Sequence, residues 1–274
     1  MSDYRMLVLD LDGTALRHDG TLAEEDIAAA HRLKQAGVHV TINTGRLYGG
    51  AAWVAEALGI EGQVSVMNGL ELVNVGTHHT VSGAYVDVDA KAQARRVFAR
   101  HGLPTFLFGS RRIHYGREHH HLAPYLGIWT EDLLAHDDIH QAPHWDDADI
   151  LAVCAAGDLG VIESAQAALS EELGEHLHLM AFDTFDGDRF VQLASSTWDK
   201  GTALEQLAQE RGLRADQVVA VGDWINDGPM FATAGRAYAM NHAIDTLKER
   251  AHGVLDASRE GGAVAEIAKK VWDL

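Results

Sequence analysis

The chain has 274 residues, 40 of them acidic against 22 basic, for a formal charge of −18 at pH 7 with its histidines neutral. With 47% apolar and 23% charged residues it can bury a substantial core. Disorder, collagen-like repeats and disulfide scaffolds are excluded, and at roughly 150 residues per domain one large domain or two smaller ones are expected. The acidic excess argues against nucleic acid and anionic membranes as partners, because phosphate backbones select basic surfaces. It would also repel a small phosphorylated molecule, unless a local cationic site outweighs the field.

Cys154 is the single cysteine, so no intrachain disulfide forms, which suits a reducing compartment. The opening Met1-Ser2-Asp3-Tyr4-Arg5 runs into only the short apolar stretch before Asp10. That makes no signal peptide, and no run approaches the ~18 apolar residues of a membrane span, so a cytoplasmic location is expected. Nothing in the sequence specifies an oligomeric state.

Met6-Leu7-Val8-Leu9 has the uninterrupted apolar pattern of a strand buried on both faces. Thr21, with Glu24 three residues on, predicts a capping box opening a helix that closes at Gly37, with Leu22, Ile27, Ala30 and Leu33 as its apolar stripe. A second strand is predicted over Val38–Ile42, a second helix over Leu47–Leu58 ending at Gly59, and a third strand over Gln63–Met67. Strand–helix–strand alternation implies parallel pairing through right-handed crossovers, hence a doubly wound sheet.

From about residue 80 to 188 the texture changes. Strands are predicted over Gly83–Val88, Thr105–Phe108, Ile113–Tyr115 and Ile150–Ala155, with helices near Ala90–His101 and Asp158–Leu173. The core pattern returns as a helix over Thr202–Arg211, a buried strand Val218–Val221, and short strands near Ala237–Met240 and Gly253–Leu255. The fold expected is α/β, a doubly wound parallel-sheet (Rossmann-like) core over 1–82 and 188–274, with an inserted α+β cap domain over 83–187.

Chemistry gathers at the strand ends. Asp10-Leu11-Asp12-Gly13-Thr14 follows the first strand directly, where ligands of open parallel sheets bind. Two carboxylates so placed repel unless a cation or a shared proton relieves them, although an Asp-Gly turn also explains the segment. Gly222-Asp223-Trp224-Ile225-Asn226-Asp227 follows another buried strand and brings two more carboxylates and an amide to the same edge. Four carboxylates converging there require a metal, and an all-oxygen donor set suits magnesium and not zinc. Thr44-Gly45-Arg46 forms an anion-binding corner at a helix start, or equally a Thr cap. Lys200, one of six lysines, sits at a helix N-terminus, where a cation opposes the helix dipole.

The order Asp10-x-Asp12-Gly-Thr, Thr44-Gly-Arg, Lys200-Gly and Gly-Asp223-x-x-Asn226-Asp227 resembles the haloacid dehalogenase superfamily, and within it the Cof-type and sugar-phosphate phosphatases. The resemblance implies Asp10 as nucleophile and Asp12 as acid and base, with Thr44, Gly45, Lys200 and Asn226 on the phosphate. It implies Mg2+ held at Asp10, at the Asp12 backbone carbonyl, at Asp223 and, directly or through water, at Asp227. Asn68-Gly69 and Asn241 match further short stretches of the family, although Asn241-His242-Ala243 interrupts the usual Asn-Ala. Between Asp12 and Thr44 there is room only for one helix and one strand, whereas the Thr44–Lys200 interval far exceeds what a core needs, so the cap lies there.

The function expected is Mg2+-dependent hydrolysis of a small phosphorylated metabolite, a sugar phosphate, through an aspartyl phosphate. A phosphomutase would use the same residues, and a non-catalytic phosphometabolite-binding protein is the alternative from another class. In the cap, Arg112 and His114 are candidates for substrate contact or for a basic surface hairpin. His119-His120-His121 is a candidate transition-metal tract or a solvated loop. Trp129, Trp145 and His144 read as cap core or interface. Arg46 either holds phosphate or pairs with a core carboxylate.

Overall fold

A computed structural model of the chain describes residues 3–171, 177–183 and 189–274. These fall into two compact units, one built from the residues up to Arg46, Ala51–Ser82 and Trp198–Leu274, the other from Leu47–Gly50 and Gly83–Thr197.

The chain opens with β1 (Met6–Leu9), α1 (Glu24–Gln35), β2 (His39–Ile42), α2 (Tyr48–Ala57), β3 (Gln63–Val66), β4 (Glu71–Asn74) and β5 (His79–Gly83). Then come α3 (Val88–Arg100), β6 (Thr105–Gly109), β7 (Ile113–Gly116), α4 (Ala123–Leu126), β8 (Leu133–His136), β9 (Ile150–Gly157), α5 (Leu159–Ser170), β10 (Leu177–Asp183) and β11 (Arg189–Ser195). It closes with α6 (Lys200–Glu210), β12 (Val218–Gly222), α7 (Gly228–Thr233), β13 (Arg236–Ala239), α8 (Asp245–Lys248), β14 (Gly253–Val254) and α9 (Ala263–Trp272).

In the first unit a five-stranded sheet runs β14-β13-β12-β1-β2 with every pairing parallel. Leu7, Val8, Leu9, Val219, Ala220 and Val221 are fully buried, as strands covered on both faces must be. The chain leaves β1 toward β2 on one side and returns as β12 on the other. The crevice beyond the carboxyl ends of β1 and β12 is therefore the switch point where open α/β sheets bind ligands. β3 joins β2 through a parallel bridge, Asn43 to Ser65, while pairing antiparallel with β4 in a separate three-stranded sheet.

In the second unit a six-stranded sheet runs β10-β11-β9-β6-β7-β8, antiparallel except for the β7–β8 pair. Period-two alternation divides its faces. Leu107, Val153, Val191 and Leu193 pack with Val97 and Phe98 of α3 and Ile162 and Leu169 of α5. Phe106 and Phe108 turn the other way, onto Phe190, and Trp129 stacks on the same ring at 5.9 Å. Trp145 is buried and donates to the Ile139 carbonyl, which makes both tryptophans packing residues of this unit.

Two sequence expectations change, and two others fall on residues outside those described. The capping box at Thr21 is absent: Thr21 donates through its amide and hydroxyl to Asp19 Oδ1, and α1 starts after Ala23, because an Asx turn competes successfully for the same groups. No strand covers Gly83–Val88; the strand lies earlier, and the Asp87 side chain caps α3 by accepting from Ala90 N. The helix expected to reach Leu173 is described as far as Ser170, Leu173 lying outside the described residues. The return to the core expected at 188 also lies outside them. The next strand, β11, pairs with β9, so the units divide at Thr197/Trp198.

Candidate active site

Asp10 leaves β1 with its amide donating to Val221 O, which ties the first loop to the end of β12. Asp223 leaves β12 one residue beyond Gly222. Between them reaches Lys200, the first residue of α6, whose helix is capped by Asp199 and Thr202 in a reciprocal capping box. The Lys200 side chain is wholly buried, and its Nζ donates to Asp10 Oδ1 at 2.6 Å and to Asp227 Oδ1 at 2.7 Å. A solvated surface lysine is thereby excluded. The ammonium's unfavourable position on the helix dipole is outweighed by two charge-assisted hydrogen bonds.

Asp227 is also buried, and its Oδ2 accepts from the amides of Asp223 and Trp224 at 2.8 and 3.0 Å. Asp10, Asp223 and Asp227 form a group whose oxygens lie within 4.8 Å of one another and which could hold a metal ion. Asp223 Oδ1 is buried with no hydrogen-bond partner, a costly state that a cation would relieve. The donors are all carboxylate oxygens, the set hard divalent cations take. Gly13 closes the corner at φ +78°; a Cβ there would collide with the Asp223 carboxylate, so both its backbone conformation and its lack of a side chain are required.

Three carboxylates against one ammonium leave surplus negative charge in a dry place. Burial raises the Asp10 pKa well above the ordinary value; Lys200 opposes this, and Asp227 and Asp223 add to it. Burial and then Asp227 push Asp223 up to about 7, Lys200 and Arg259 opposing. Burial works against the charge on Lys200, but Asp10 and Asp227 hold its pKa above the usual lysine value.

Not all four expected carboxylates converge. Asp12 turns its carboxylate to Arg46, which donates from Nε at 2.9 Å and from the terminal nitrogen at 2.6 Å. About half of the Asp12 side chain remains exposed, and the reason it stays out of the triad is that a bidentate guanidinium partner is available at its own position. Of the two alternatives for Arg46, pairing with a core carboxylate is the one observed.

Thr44 is buried, and its hydroxyl accepts from Arg46 N at 3.1 Å. It therefore shapes a turn two residues before Arg46 and does not cap α2. Gly45 faces the Asn68 amide, where a Cβ would stand 3.2 Å from Oδ1. Asn68 occupies left-handed backbone at φ 58° and accepts from Asn226 Nδ2 at 2.8 Å. Asn226 Oδ1 is left buried without a partner.

Asn241 is exposed, whereas its neighbour His242 brings Nε2 to 3.4 Å from Asp223 Oδ2. Burial, then Arg259, lowers the His242 pKa, which favours the neutral ring beside the carboxylate. Arg112 and His114 belong to the other unit. Arg112 pairs with Asp132 at 3.2 Å in a half-exposed ion pair, and His114 is buried among imidazoles.

Two participants were missed in the sequence. Asn43 is buried and donates from Nδ2 to the Lys200 carbonyl at 2.8 Å, anchoring the start of α6 to the end of β2. Its signal was position, directly before Thr44 after a buried strand. His242 was visible only as an interruption, with nothing in the chain order to place it against Asp223.

The family of haloacid dehalogenase-like hydrolases matches this chain over residues 7–267. A 5-amino-6-(5-phospho-D-ribitylamino)uracil phosphatase of Bacillus subtilis is 25% identical, the match covering 98% of each chain. An HMP-PP phosphatase of Serratia proteamaculans is also 25% identical, over 89% of this chain and 86% of its own. In fold, the chain resembles the crystal structure of a haloacid dehalogenase-like hydrolase from Bacteroides thetaiotaomicron, with a TM-score of 0.85 at 20% identity, covering 98% and 99% of the two chains.

Proposed function

The chain belongs to the haloacid dehalogenase-like hydrolase family, and from that premise we propose that it is a Mg2+-dependent phosphatase of small phosphorylated metabolites, working through an aspartyl phosphate on Asp10. The observation that carries this reading is the buried Asp10–Lys200–Asp227 bridge beside the unpartnered Asp223 Oδ1. Relatives named as phosphatases of small phosphorylated compounds support it. The finer expectation, a sugar phosphate, is part of this proposal, and one relative is named for a phosphoribitylamino compound.

Asp10 attacks phosphorus with a carboxylate oxygen while the bond to the leaving oxygen breaks. Lys200 holds Asp10 in place and offers positive charge to the transferring phosphoryl group, whose oxygens carry the spread charge. Asp12 gives its proton to the departing oxygen and afterwards takes one from the water that cleaves the aspartyl phosphate. For either task its carboxylate leaves the two hydrogen bonds of Arg46.

Thr44, the Gly45 backbone and Asn226 are assigned to the phosphate, Asn226 through its Nδ2 donor, which otherwise serves Asn68 Oδ1. Asp10, the Asp12 backbone carbonyl and Asp223 would hold Mg2+. Asp227, whose two oxygens already accept from Lys200 and two amides, would act through water. The ion would neutralise phosphate charge and align the group for in-line attack.

Residues 1–82 and 188–274, with the boundary moved toward Trp198, are assigned as catalytic core and the segment between as cap. Among the described residues no helix is long and apolar enough to cross a membrane. We place the enzyme in the cytoplasm on its lone, buried Cys154.

The test is turnover of p-nitrophenyl phosphate with Mg2+. Asp10→Asn is expected to abolish it, and an unchanged rate would end the proposal.

A further inference from the structure

Outside the acid cluster, one other group of side chains among the described residues converges with ligand geometry. His114 of β7, His136 of β8 and His144 of the turn over 143–146 each bring a ring nitrogen within 4.8 Å of the others. We propose that these three imidazoles form a transition-metal site in the second unit, selective for Zn2+ and its borderline relatives, and independent of the phosphatase reading.

The fold builds this convergence. β7 and β8 pair in parallel with His114 opposite Leu134 and Gly116 opposite His136, so the two histidines share a face two register positions apart. His114 also lies opposite Leu107, on the face that α3 and α5 cover. His144 enters from the turn that carries the buried Trp145, whose ring receives Arg95 of α3 at 5.8 Å.

His114 Nδ1 stands 3.1 Å from His136 Nε2. Two nitrogens bound to one tetrahedral zinc at about 2.0–2.1 Å would be separated by a similar distance. The ring of His144 lies 4.0 Å from that of His114 and 5.2 Å from that of His136, centroid to centroid.

The second layer is also in place. His144 Nδ1 donates to Asp147 Oδ2 at 2.7 Å, which leaves Nε2 as the nitrogen available to a cation. A carboxylate holding the far side of an imidazole is the usual support of a zinc ligand. His114 is buried among these rings, an environment that favours the neutral imidazole, the form that ligates. Three nitrogen donors and no sulfur suit zinc, nickel or copper and not magnesium. This set leaves a fourth position for water.

The adjacent tract His119-His120-His121, the obvious candidate in the sequence, does not form such a group. The His119 and His121 rings meet edge to face at 6.2 Å, and His120 Nδ1 is hydrogen-bonded to the Tyr115 hydroxyl at 2.7 Å. A zinc ion at His114, His136 and His144 would join an edge strand, its neighbour and a turn. It would therefore stabilise this unit without entering the phosphoryl chemistry.

The experiment loads the full chain with Zn2+ in excess Mg2+, removes free ions by gel filtration and counts bound zinc by mass spectrometry. Wild type and Asp223→Asn are expected to retain one zinc per chain, and so is a variant with His119, His120 and His121 all changed to Gln. His136→Gln/His144→Gln, whose fold is checked by far-ultraviolet circular dichroism in chelator, is expected to bind zinc at least about tenfold more weakly. No zinc on the wild type at micromolar free ion overturns the site, as does full retention by the double variant, or loss in the His119–His121 variant. Should the double variant not fold, Co2+-loaded wild type decides. An intense visible band of a four-coordinate site supports the proposal, and the weak band of a six-coordinate ion overturns it.

Discussion

Lys200 is the residue on which the acid cluster depends, since it is the ammonium that faces both Asp10 and Asp227 in a buried place. Lys200→Ala is expected to cost about 3–5 kcal/mol of stability without Mg2+ at pH 8, because removing one partner strands buried charge. The loss should shrink at pH 5, where Asp10, its pKa raised by burial, takes up a proton. Urea unfolding at both pH values measures it, and equal losses would contradict the assignment.

Asp223 titrates in the opposite sense to an ordinary salt-bridged acid. Its folded pKa of about 7 lies well above that of an unfolded aspartate, so the folded state binds the proton more tightly. Its contribution is therefore full below about pH 4 and is lost as pH rises through about 7, on the order of a few kcal/mol. In chelator, melting temperature should fall across that window. Asp223→Asn should flatten the decline and remove most of the stabilisation Mg2+ gives to wild type.

Among the elements, α9 shows how a helix end can be served from far along the chain. Its N-cap, Gly262, has left-handed backbone and no side chain, and the capping is done by Asp26 of α1. That carboxylate accepts from Gly262 N at 2.8 Å and Ala265 N at 2.9 Å. Asp26→Ala leaves both half-buried amides unserved and should cost about 1–2 kcal/mol, read as a shifted urea midpoint with unchanged turnover.

The buried strands β1, β2 and β12 were legible as apolar runs, since both their faces are covered. β4, β5, β8, β10 and β11 were not. Their pattern is diluted by polar residues, and neighbours distant in sequence decide whether such segments pair. β11 shows the consequence: its hydrogen bonds to β9 draw the chain past residue 188 into the second unit's sheet.

Across the whole molecule, the charge of −18 is both a surface property and a local one. Raising salt from about 0.01 to about 0.15 M shortens the screening length from ~30 to ~8 Å, and should raise the melting temperature of the Mg2+-free chain by relieving self-repulsion. At equal ionic strength MgCl2 should raise it further than NaCl in wild type and equally in Asp223→Asn. Identical responses in wild type would remove the specific cation from the account.

The sequence by itself determined the doubly wound core and the strand ends where chemistry gathers. Buried strands and the turns directly after them are local patterns, and Asp10, Asp223 and Lys200 follow from where their elements begin and end. Tertiary structure alone decided which carboxylates share the dry pocket: Asp12 stands three residues beyond β1 and Asp227 five beyond β12, yet a guanidinium captures the nearer and a buried ammonium the farther. It also decided that His114, His136 and His144 meet while the adjacent His119, His120 and His121 do not. Convergence of side chains depends on strand register and turn placement, to which proximity along the chain is no guide.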